Sequence, residues 1–318
     1  MLLGKYKLKK IKGDASFRSF FRKKFDNTSS IIVYAKKEKE KNLLIYDSIN
    51  KILIKNNILA PKLLNKNYSK NFIEIQDFGN ETIFHIFKKK NKNKLEIFKK
   101  IINLLNEIQL IKDREIINFK KKKYSIPNYS SKILLDEAKL FSSWYVSKNL
   151  SKSKYSSFKE NYIKIIKKLI QKINMKNNTF VHRDFHVSNL ILFKNRVAVI
   201  DSQDALIGNK AYDLVSLIDD VRFKTSSKFK DKIFTLYLKS QKKINIKNFK
   251  NDFEIISVLR NLKIIGIFNR LAARDNKKKY LKLIPHAWSL IRLRLKNNKF
   301  FVELNELLND TFNNEKTK

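Results

Sequence analysis

The chain has 318 residues, of which 43% are hydrophobic and 12% aromatic, a composition typical of a folded protein large enough for two lobes. Its formal net charge of +41 would suit a polyanion partner, but the lysines are spread along the whole chain, which disfavours a specific nucleic-acid-binding function. The absence of cysteine, and of any apolar run near the roughly 18 residues of a membrane span, excludes disulfides, cysteine nucleophiles and a transmembrane helix, and we expect a cytoplasmic protein.

The first predicted elements form a β-hairpin that follows a turn of small residues. Gly13, Asp14, Ala15 and Ser16 lead into an alternating aromatic and basic run. A second strand is predicted over residues 31–35, after a turn at residues 26–30. The loop that opens this hairpin is placed to cover phosphate groups through its backbone N–H groups.

The remainder of the N-terminal region is predicted to contain one helix and a further strand region. Apolar spacing indicates an amphipathic helix over residues 38–57. Lys36, just before this helix, either contacts phosphates or is a solvated surface residue. A strand region is predicted from residue 60, and residues 72–79 close this part of the chain, where Gly79 allows a turn.

Beyond residue 79 the pattern is mainly helical. Apolar residues recur at three- and four-residue spacing in four segments, whereas residues 113–130 appear polar and irregular. The four predicted helices cover residues 95–108, 131–147, 159–173 and 253–274. Trp144 and Tyr145 lie in an apolar stripe, which is either core packing or a platform for a sugar ring.

A second hairpin is predicted in the C-terminal half. Short β-rich runs at 190–193 and 197–200 flank a polar break that contains Asn195. If the turn is centred on Asn195, Asn189 and Asp201 are each six residues from it. Antiparallel pairing would then place these two side chains opposite each other, with Cβ atoms about 5 Å apart.

Three polar residues of this segment suggest phosphoryl transfer. The amide oxygen of Asn189 and the carboxylate of Asp201 are hard ligands of the kind that Mg²⁺ takes beside substrate phosphates. Asp184, on the loop before the first strand, is placed to accept the proton of an attacking hydroxyl. The alternative is that all three are ordinary turn and capping residues.

The order of these residues resembles a known family. His182-Arg183-Asp184, with Asn189 and Asp201, is similar to the catalytic segment of the aminoglycoside phosphotransferase-like kinases. The run from Asp201 to Leu217 resembles the bacterial anomeric N-acetylmuramate/N-acetylglucosamine kinases, in which D-F-Q-D-A-x-x-G-x-x-x-Y-D-L-x-S-L is usual; here Ser202 replaces the phenylalanine. The G-D-A-S-F-R string at residues 13–18 and the segment 260–281 extend the resemblance over nearly the whole chain.

The resemblance implies an α+β, two-lobed protein-kinase-like fold. We expect a small β-rich N-lobe over residues 1–78, with a nucleotide-binding sheet and one helix. Residues 79–318 would form a larger, mainly helical C-lobe that carries the catalytic hairpin and the acceptor site. Asp77-Phe78-Gly79 spells the magnesium motif of protein kinases, but it precedes the catalytic loop and is therefore predicted to be the hinge between the lobes.

The resemblance also implies a set of functional residues. Asp184 would be the catalytic base, and Asn189 and Asp201 the ligands of Mg²⁺. The predicted contacts of ATP, on phosphates or adenine, are Gly13, Asp14, Ala15, Ser16, Lys36, Glu74 and Gln76. The candidate contacts of the acceptor substrate are Arg183, His186, Asp204 and Arg270.

The expected function is ATP-dependent phosphorylation of the anomeric hydroxyl of N-acetylmuramate, N-acetylglucosamine or both, as in the recycling of peptidoglycan sugars. We expect no specific nucleic-acid or membrane partner. One alternative keeps the fold and changes the acceptor to an aminoglycoside, a choline-like amine or homoserine. Another is a non-catalytic kinase-like protein that binds polyanions.

Overall fold

The computed structural model describes residues 7–11, 18–35, 42–89, 93–296 and 298–312. Gly13, Asp14, Ala15, Ser16 and Lys36 lie outside the described residues, so their predicted contacts with phosphates stay predictions.

The described residues contain eleven β-strands. They are β1 Lys7–Ile11, β2 Ser19–Phe25, β3 Thr28–Tyr34, β4 Leu63–Asn67, β5 Phe72–Gln76, β6 Glu115–Ile117, β7 Lys123–Ser125, β8 Asn177–Val181, β9 Leu190–Phe193, β10 Arg196–Val199 and β11 Leu206–Asn209.

Eleven α-helices, one π-helix and three short 3₁₀ helices complete the secondary structure of the same residues. The α-helices are α1 Asn42–Lys55, α2 Ile83–Lys88, α3 Lys94–Gln109, α4 Ser131–Leu140, α5 Ser147–Asn149, α6 Lys152–Gln171, α7 Tyr212–Ile218, α8 Ser227–Lys239, α9 Ile246–Arg274, α10 Ile284–Leu295 and α11 Val302–Phe312. The π-helix is Phe141–Val146, and the 3₁₀ helices are Tyr68–Lys70, Lys278–Leu283 and Lys299–Phe301.

The N-terminal strands form one five-stranded antiparallel sheet in the order β1-β2-β3-β5-β4. The predicted first hairpin is confirmed, but its turn is shorter than expected. Phe25 pairs directly with Thr28, so residues 28–30 belong to the second strand. Alternate residues of β3 and β5, such as Val33 and Ile73, pack on Leu43 of α1 and form the core of this sheet.

The second predicted hairpin is also present, with a register that differs by one residue from the prediction. Phe193 pairs with Arg196 across a two-residue turn, in which Lys194 and Asn195 both have positive φ, 44° and 63°. The centre of the hairpin therefore lies between residues 194 and 195. Asn189 faces Ile200, whose N–H donates to the Asn189 carbonyl at 3.0 Å, so the predicted pairing with Asp201 was wrong.

Two helical or irregular segments also differ from prediction. Residues 113–130 include a short hairpin, β6–β7, in place of an entirely irregular loop. The helix predicted over 131–147 changes from α to π at Phe141. A Cβ at Gly266 of α9 would lie 2.3 Å from the carbonyl carbon of Leu140, so the two backbones meet where the helix changes its winding.

The chain divides into two compact units. The first comprises residues 1–127 and 179–206, and the second residues 128–178 and 207–318. The predicted boundary after residue 78 falls inside the first unit, and the lobes stay a prediction. In the second unit α9 packs against α4, the π-helix, α7 and α10. No helix among the described residues is both long and apolar enough to cross a membrane, and the cytoplasmic location stays a prediction.

The catalytic hairpin belongs to the same unit as the five-stranded sheet. Phe78 packs edge-on against Phe193 of β9, with ring centroids 5.1 Å apart. The N–H of Val199 donates to the carbonyl of Leu59 at 2.9 Å. The segment Asp77-Phe78-Gly79 therefore supports the hairpin, and Gly79 has the positive φ of 90° that its predicted turn requires.

Candidate active site

The loop before β9 is closed by its own hydrogen bonds. The carbonyl of Asp184 accepts from the N–H of His186 at 3.0 Å and from Nδ2 of Asn189 at 3.1 Å. The N–H of Asn189 donates to the carbonyl of His186 at 2.8 Å. Because a carbonyl acceptor fixes the amide nitrogen of Asn189 on one side, its Oδ1 is the end left to bind a ligand.

Asp201 follows β10 in an unusual backbone conformation. Its φ is 63°, and that of Arg183 is 78°, in the left-handed region that non-glycine residues seldom occupy. Such conformations cost about 1–3 kcal/mol each and persist where the surrounding structure holds them. The Asp201 side chain remains 37% exposed, and its Oδ1 accepts a hydrogen bond from Nη2 of Arg18 at 3.2 Å.

Three carboxylates lie close together at this point. Burial raises the pKa of Asp201; the charge of Arg18 lowers it, and the negative charges of Asp184 and Asp204 raise it further. Gln203 interacts with two of them. Its hydrogen bond to Asp201 lowers the pKa of that carboxyl, and its Nε2 donates to Oδ2 of Asp204 at 2.8 Å. The mutual repulsion of these carboxylates creates a place where a cation would be stabilised.

The donor set fits one magnesium ion that also takes ligands from a nucleotide. Asn189 offers an amide oxygen and Asp201 a partly exposed carboxylate, which is how Mg²⁺ is held when phosphates supply other ligands. Within the described ranges, no group of three or more His, Cys, Asp and Glu side chains is arranged to hold a metal by protein ligands alone.

The two histidines of the loop are buried. His182 has no exposed surface, and burial lowers its pKa to about 4, although Asp184 and a hydrogen bond to the main chain of Ile200 oppose this shift. His182 is therefore neutral at pH 7. His186 is 5% exposed, and its Nε2 lies 3.5 Å from Nδ2 of Asn189. The imidazole of His186 therefore lies beside the side chain of Asn189, the predicted metal ligand.

The two residues predicted to meet adenine differ in their surroundings. Glu74 lies in the interior strand β5, and its carboxylate accepts from Ser30 and from Nζ of Lys23 at 3.2 Å. Its polar groups are thus engaged within the sheet. Gln76 ends the same strand, and its buried Oε1 has no hydrogen-bond partner among the described residues. The contact of adenine with backbone groups near Glu74 to Gln76 stays a prediction.

The remaining acceptor candidate, Arg270, belongs to the second unit. Burial and the nearby Arg274 lower its pKa, and its buried Nε has no acceptor within the described part of the chain. Tyr145 is a core residue, stacked on Phe141 at 5.3 Å, which confirms the packing interpretation of that stripe for Tyr145. Trp144 is half-buried.

The sequence did not reveal how Asp201 is surrounded. Arg18, Tyr46 and Asn50 approach it or its neighbour Ser202 from more than 150 residues away in the chain. Arg18 was recognisable only as the last residue of the G-D-A-S-F-R string. Nothing in the helical pattern of α1 distinguishes Tyr46 and Asn50 from other buried positions.

Comparison with known proteins identifies the class. A model of the phosphotransferase enzyme family matches residues 7–244, well over half of the chain, and the chain belongs to this family. It is similar to the N-acetylmuramate/N-acetylglucosamine kinase of Neisseria meningitidis serogroup B, with 28% identity over 88% of this chain and 83% of that protein. The protein of the same name from Pseudomonas aeruginosa is 25% identical over 93% and 86% of the two chains.

Solved structures share the fold. An ethanolamine kinase of Plasmodium vivax superimposes with a TM-score of 0.64 at 14% identity, covering 91% of this chain and 84% of that one. A spectinomycin phosphotransferase in complex with ADP and spectinomycin gives 0.60 at 16% identity, covering 91% and 92%. Together with the family match, these confirm the predicted fold class and the predicted kinase activity.

Proposed function

We propose that this kinase transfers the γ-phosphoryl group of ATP to the anomeric hydroxyl of N-acetylmuramate, N-acetylglucosamine or both. The observation that carries the proposal is that relatives named for these two sugars align with most of this chain and most of their own length. The loop from Asp184 to Asn189 and the carboxylate of Asp201 supply the groups that the reaction needs in one compact unit.

In the proposed reaction Asp184 accepts the proton of the anomeric hydroxyl as its oxygen forms a bond to the γ-phosphorus. The bond between that phosphorus and the bridging oxygen of the β-phosphate breaks, and ADP leaves. The closed loop around the Asp184 carbonyl fixes the base without using its carboxylate in those bonds. Positioning and charge neutralisation do most of the work in such transfers.

Asn189 and Asp201 are the proposed ligands of Mg²⁺, which when bound neutralises charge on the phosphates. Burial and the negative charges of Asp184 and Asp204 raise the pKa of Asp201, and a bound cation would relieve that repulsion, which supports this assignment. We assign the phosphates to the loop at residues 13–18 on the resemblance of the sequence. Lys36 is a further proposed phosphate contact, by analogy with the strand lysine of protein kinases. Gln76 is the proposed contact of adenine, since its free acceptor suits the amino group of the base.

Four residues are the proposed contacts of the sugar. Asp204 is exposed and lies three residues beyond the metal ligand, where it would accept a sugar hydroxyl. Arg270 is the proposed partner of an acceptor carboxylate, which N-acetylmuramate has and N-acetylglucosamine lacks. Arg183 and His186 belong to the catalytic loop and are proposed contacts by position.

The proposal is tested by ADP release from Mg²⁺-ATP with a panel of acceptors. We expect turnover with N-acetylmuramate, N-acetylglucosamine or both, and at least about a hundredfold lower kcat/KM with aminoglycosides, choline and homoserine. Turnover only with a cationic acceptor would replace the sugar in this proposal by that acceptor.

A further inference from the structure

Arg18 lies against the predicted magnesium ligand. It directly precedes β2, and its side chain is 5% exposed. Its guanidinium carbon lies 5.7 Å from the ring centroid of Phe20 and 5.7 Å from that of Tyr46, so the cation contacts two aromatic rings. Its Nη2 lies 3.2 Å from Oδ1 of Asp201.

Helix α1 reinforces this arrangement from the other side. Tyr46 is 3% exposed, and its hydroxyl interacts with the main chain of Asp201. The same helix accepts a hydrogen bond from Ser202 through Asn50. Asp201 and Arg18 therefore meet at a site that is built from β2, α1 and the end of the catalytic hairpin, all within the first unit.

The contact with Arg18 engages the carboxylate of Asp201, which is the proposed ligand of magnesium. The guanidinium of Arg18 donates to Oδ1 of this carboxylate. Two cations that share one carboxylate repel each other. A divalent ion therefore binds Asp201 more tightly when Arg18 withdraws.

When the side chain of Arg18 leaves Asp201, it can bind the phosphates of the nucleotide, because guanidinium groups bind phosphate oxygens as readily as carboxylates. Arg18 is the last residue of the predicted phosphate loop at residues 13–18. We infer that Arg18 neutralises Asp201 until the magnesium nucleotide arrives, and then exchanges that carboxylate for the phosphates of the nucleotide. It is a phosphate-positioning residue that couples metal binding to nucleotide binding. This inference depends on Asp201 being the metal ligand of the proposed function.

The exchange makes a prediction that a purely structural ion pair does not. Removing the charge of Arg18 should strengthen binding of a divalent ion when no nucleotide is present, and weaken binding of the magnesium nucleotide. The test is Mn²⁺ binding to the nucleotide-free enzyme, followed by electron paramagnetic resonance, together with the KM for Mg²⁺-ATP. We expect Arg18→Gln to lower the Kd for Mn²⁺ at least about tenfold and to raise the KM for ATP by a similar factor.

Arg196→Gln is the matched control. Arg196 is an exposed arginine of the same unit that donates to the carbonyl of Asn57, and its loss changes the net charge by the same amount. Both constants should stay within about twofold in this variant. If Arg18→Gln does not fold, Arg18→Met keeps the stem between the two rings and gives the same comparison.

The variant Asp201→Asn distinguishes the metal-ligand role of Asp201 from the exchange of partners by Arg18. If it weakens Mn²⁺ binding while Arg18→Gln leaves that binding unchanged or weaker, the exchange is wrong and the metal assignment stands. If Asp201→Asn binds Mn²⁺ as tightly as the unaltered chain, the metal assignment is wrong and the exchange loses its basis.

Discussion

The hydroxyl of Ser202 donates a hydrogen bond to Oδ1 of Asn50 at 2.6 Å, and neither side chain is more than 3% exposed. Ser202 is the residue after the proposed metal ligand, and Asn50 lies in the middle of α1. The bond therefore ties the position of Asp201 to a helix of the N-terminal sheet.

The first prediction concerns this tie. Ser202→Ala should lower the free energy of unfolding by about 1–3 kcal/mol, because it leaves a buried amide acceptor without its donor. It should also raise the Mg²⁺ concentration needed for half-maximal activity. Denaturant unfolding of Ser202→Ala, Asn50→Ala and the double variant measures the coupling. Additive losses from the two single changes would show that the bond contributes nothing.

The second prediction distinguishes the base from the metal ligand. Asp184→Asn should lower kcat by about 10²–10⁴ with little change in the affinity for Mg²⁺-ATP, because a general base acts mainly in the transition state. Asp201→Asn should lower both kcat and the metal-dependent affinity for ATP. Calorimetric titration with a non-hydrolysable ATP analogue, with and without Mg²⁺, makes the comparison. If both variants kept the activity of the unaltered chain, the assigned roles would be refuted.

The third prediction is a pH dependence of stability that originates at His182. Burial holds its folded-state pKa at about 4, below the ordinary value of 6.5. Between pH 6.5 and pH 4 the unfolded chain therefore binds a proton at His182 that the folded chain does not. The free energy of unfolding decreases as the pH falls through this range. The loss from this one group is up to about 3 kcal/mol.

The comparison that checks this is urea unfolding of the unaltered chain and of His182→Gln at several pH values between 7.5 and 4.5. The variant keeps a polar side chain but cannot titrate there, so its stability should fall less steeply with acid. An equally steep decline in both proteins would assign the effect to other groups.

The fourth prediction concerns a buried ionic network in the second unit. Asp219 accepts a bidentate pair from Arg294 at 2.9 and 3.0 Å, and also bonds to Lys230 and Ser257. Burial alone would raise the pKa of Asp219, but the two cations lower it to about 2. Asp219→Ala should therefore cost about 3–5 kcal/mol, because it leaves buried charges without their partner. Asp231→Asn, which removes the same negative charge at an exposed site of α8, is the control.

The fifth prediction tests the close approach of α9 to the π-helix. Gly266→Ala would place a methyl group 2.3 Å from the main chain of Leu140, and a backbone cannot move aside as a flexible side chain can. We expect a loss of at least about 1–3 kcal/mol in the free energy of unfolding. Ala272→Gly, on the same helix, provides a comparison for simple helix propensity. Thermal unfolding of the variants measures the difference.

The parts of the fold that follow from local patterns were predictable, and the parts that depend on distant contacts were not. Two hairpins of the first unit, β2–β3 and β9–β10, and the helix α3 were expected from periodicity. The register of the catalytic hairpin was wrong by one, because the sequence alone does not reveal whether a turn contains two residues or three. The π-helix after α4 depends on the backbone contact with Gly266, which no local pattern encodes.

The same distinction applies to the site. Asp184, Asn189 and Asp201 were predicted as a set from their order and spacing, and the first unit contains all three. Their surroundings come from elsewhere in the chain: Arg18 precedes β2, and Asn50 lies on α1. A side chain that reaches a site across more than 150 residues leaves no trace in a single sequence.

The most direct test of the central proposal is the position of the phosphate in the product, read by ³¹P NMR after incubation of N-acetylmuramate or N-acetylglucosamine with Mg²⁺-ATP and the enzyme. We predict a single sugar 1-phosphate, whose phosphorus signal is coupled to the anomeric proton, and none with Asp184→Asn. A phosphate on any other hydroxyl, or the same product at an undiminished rate from that variant, would contradict the proposed reaction.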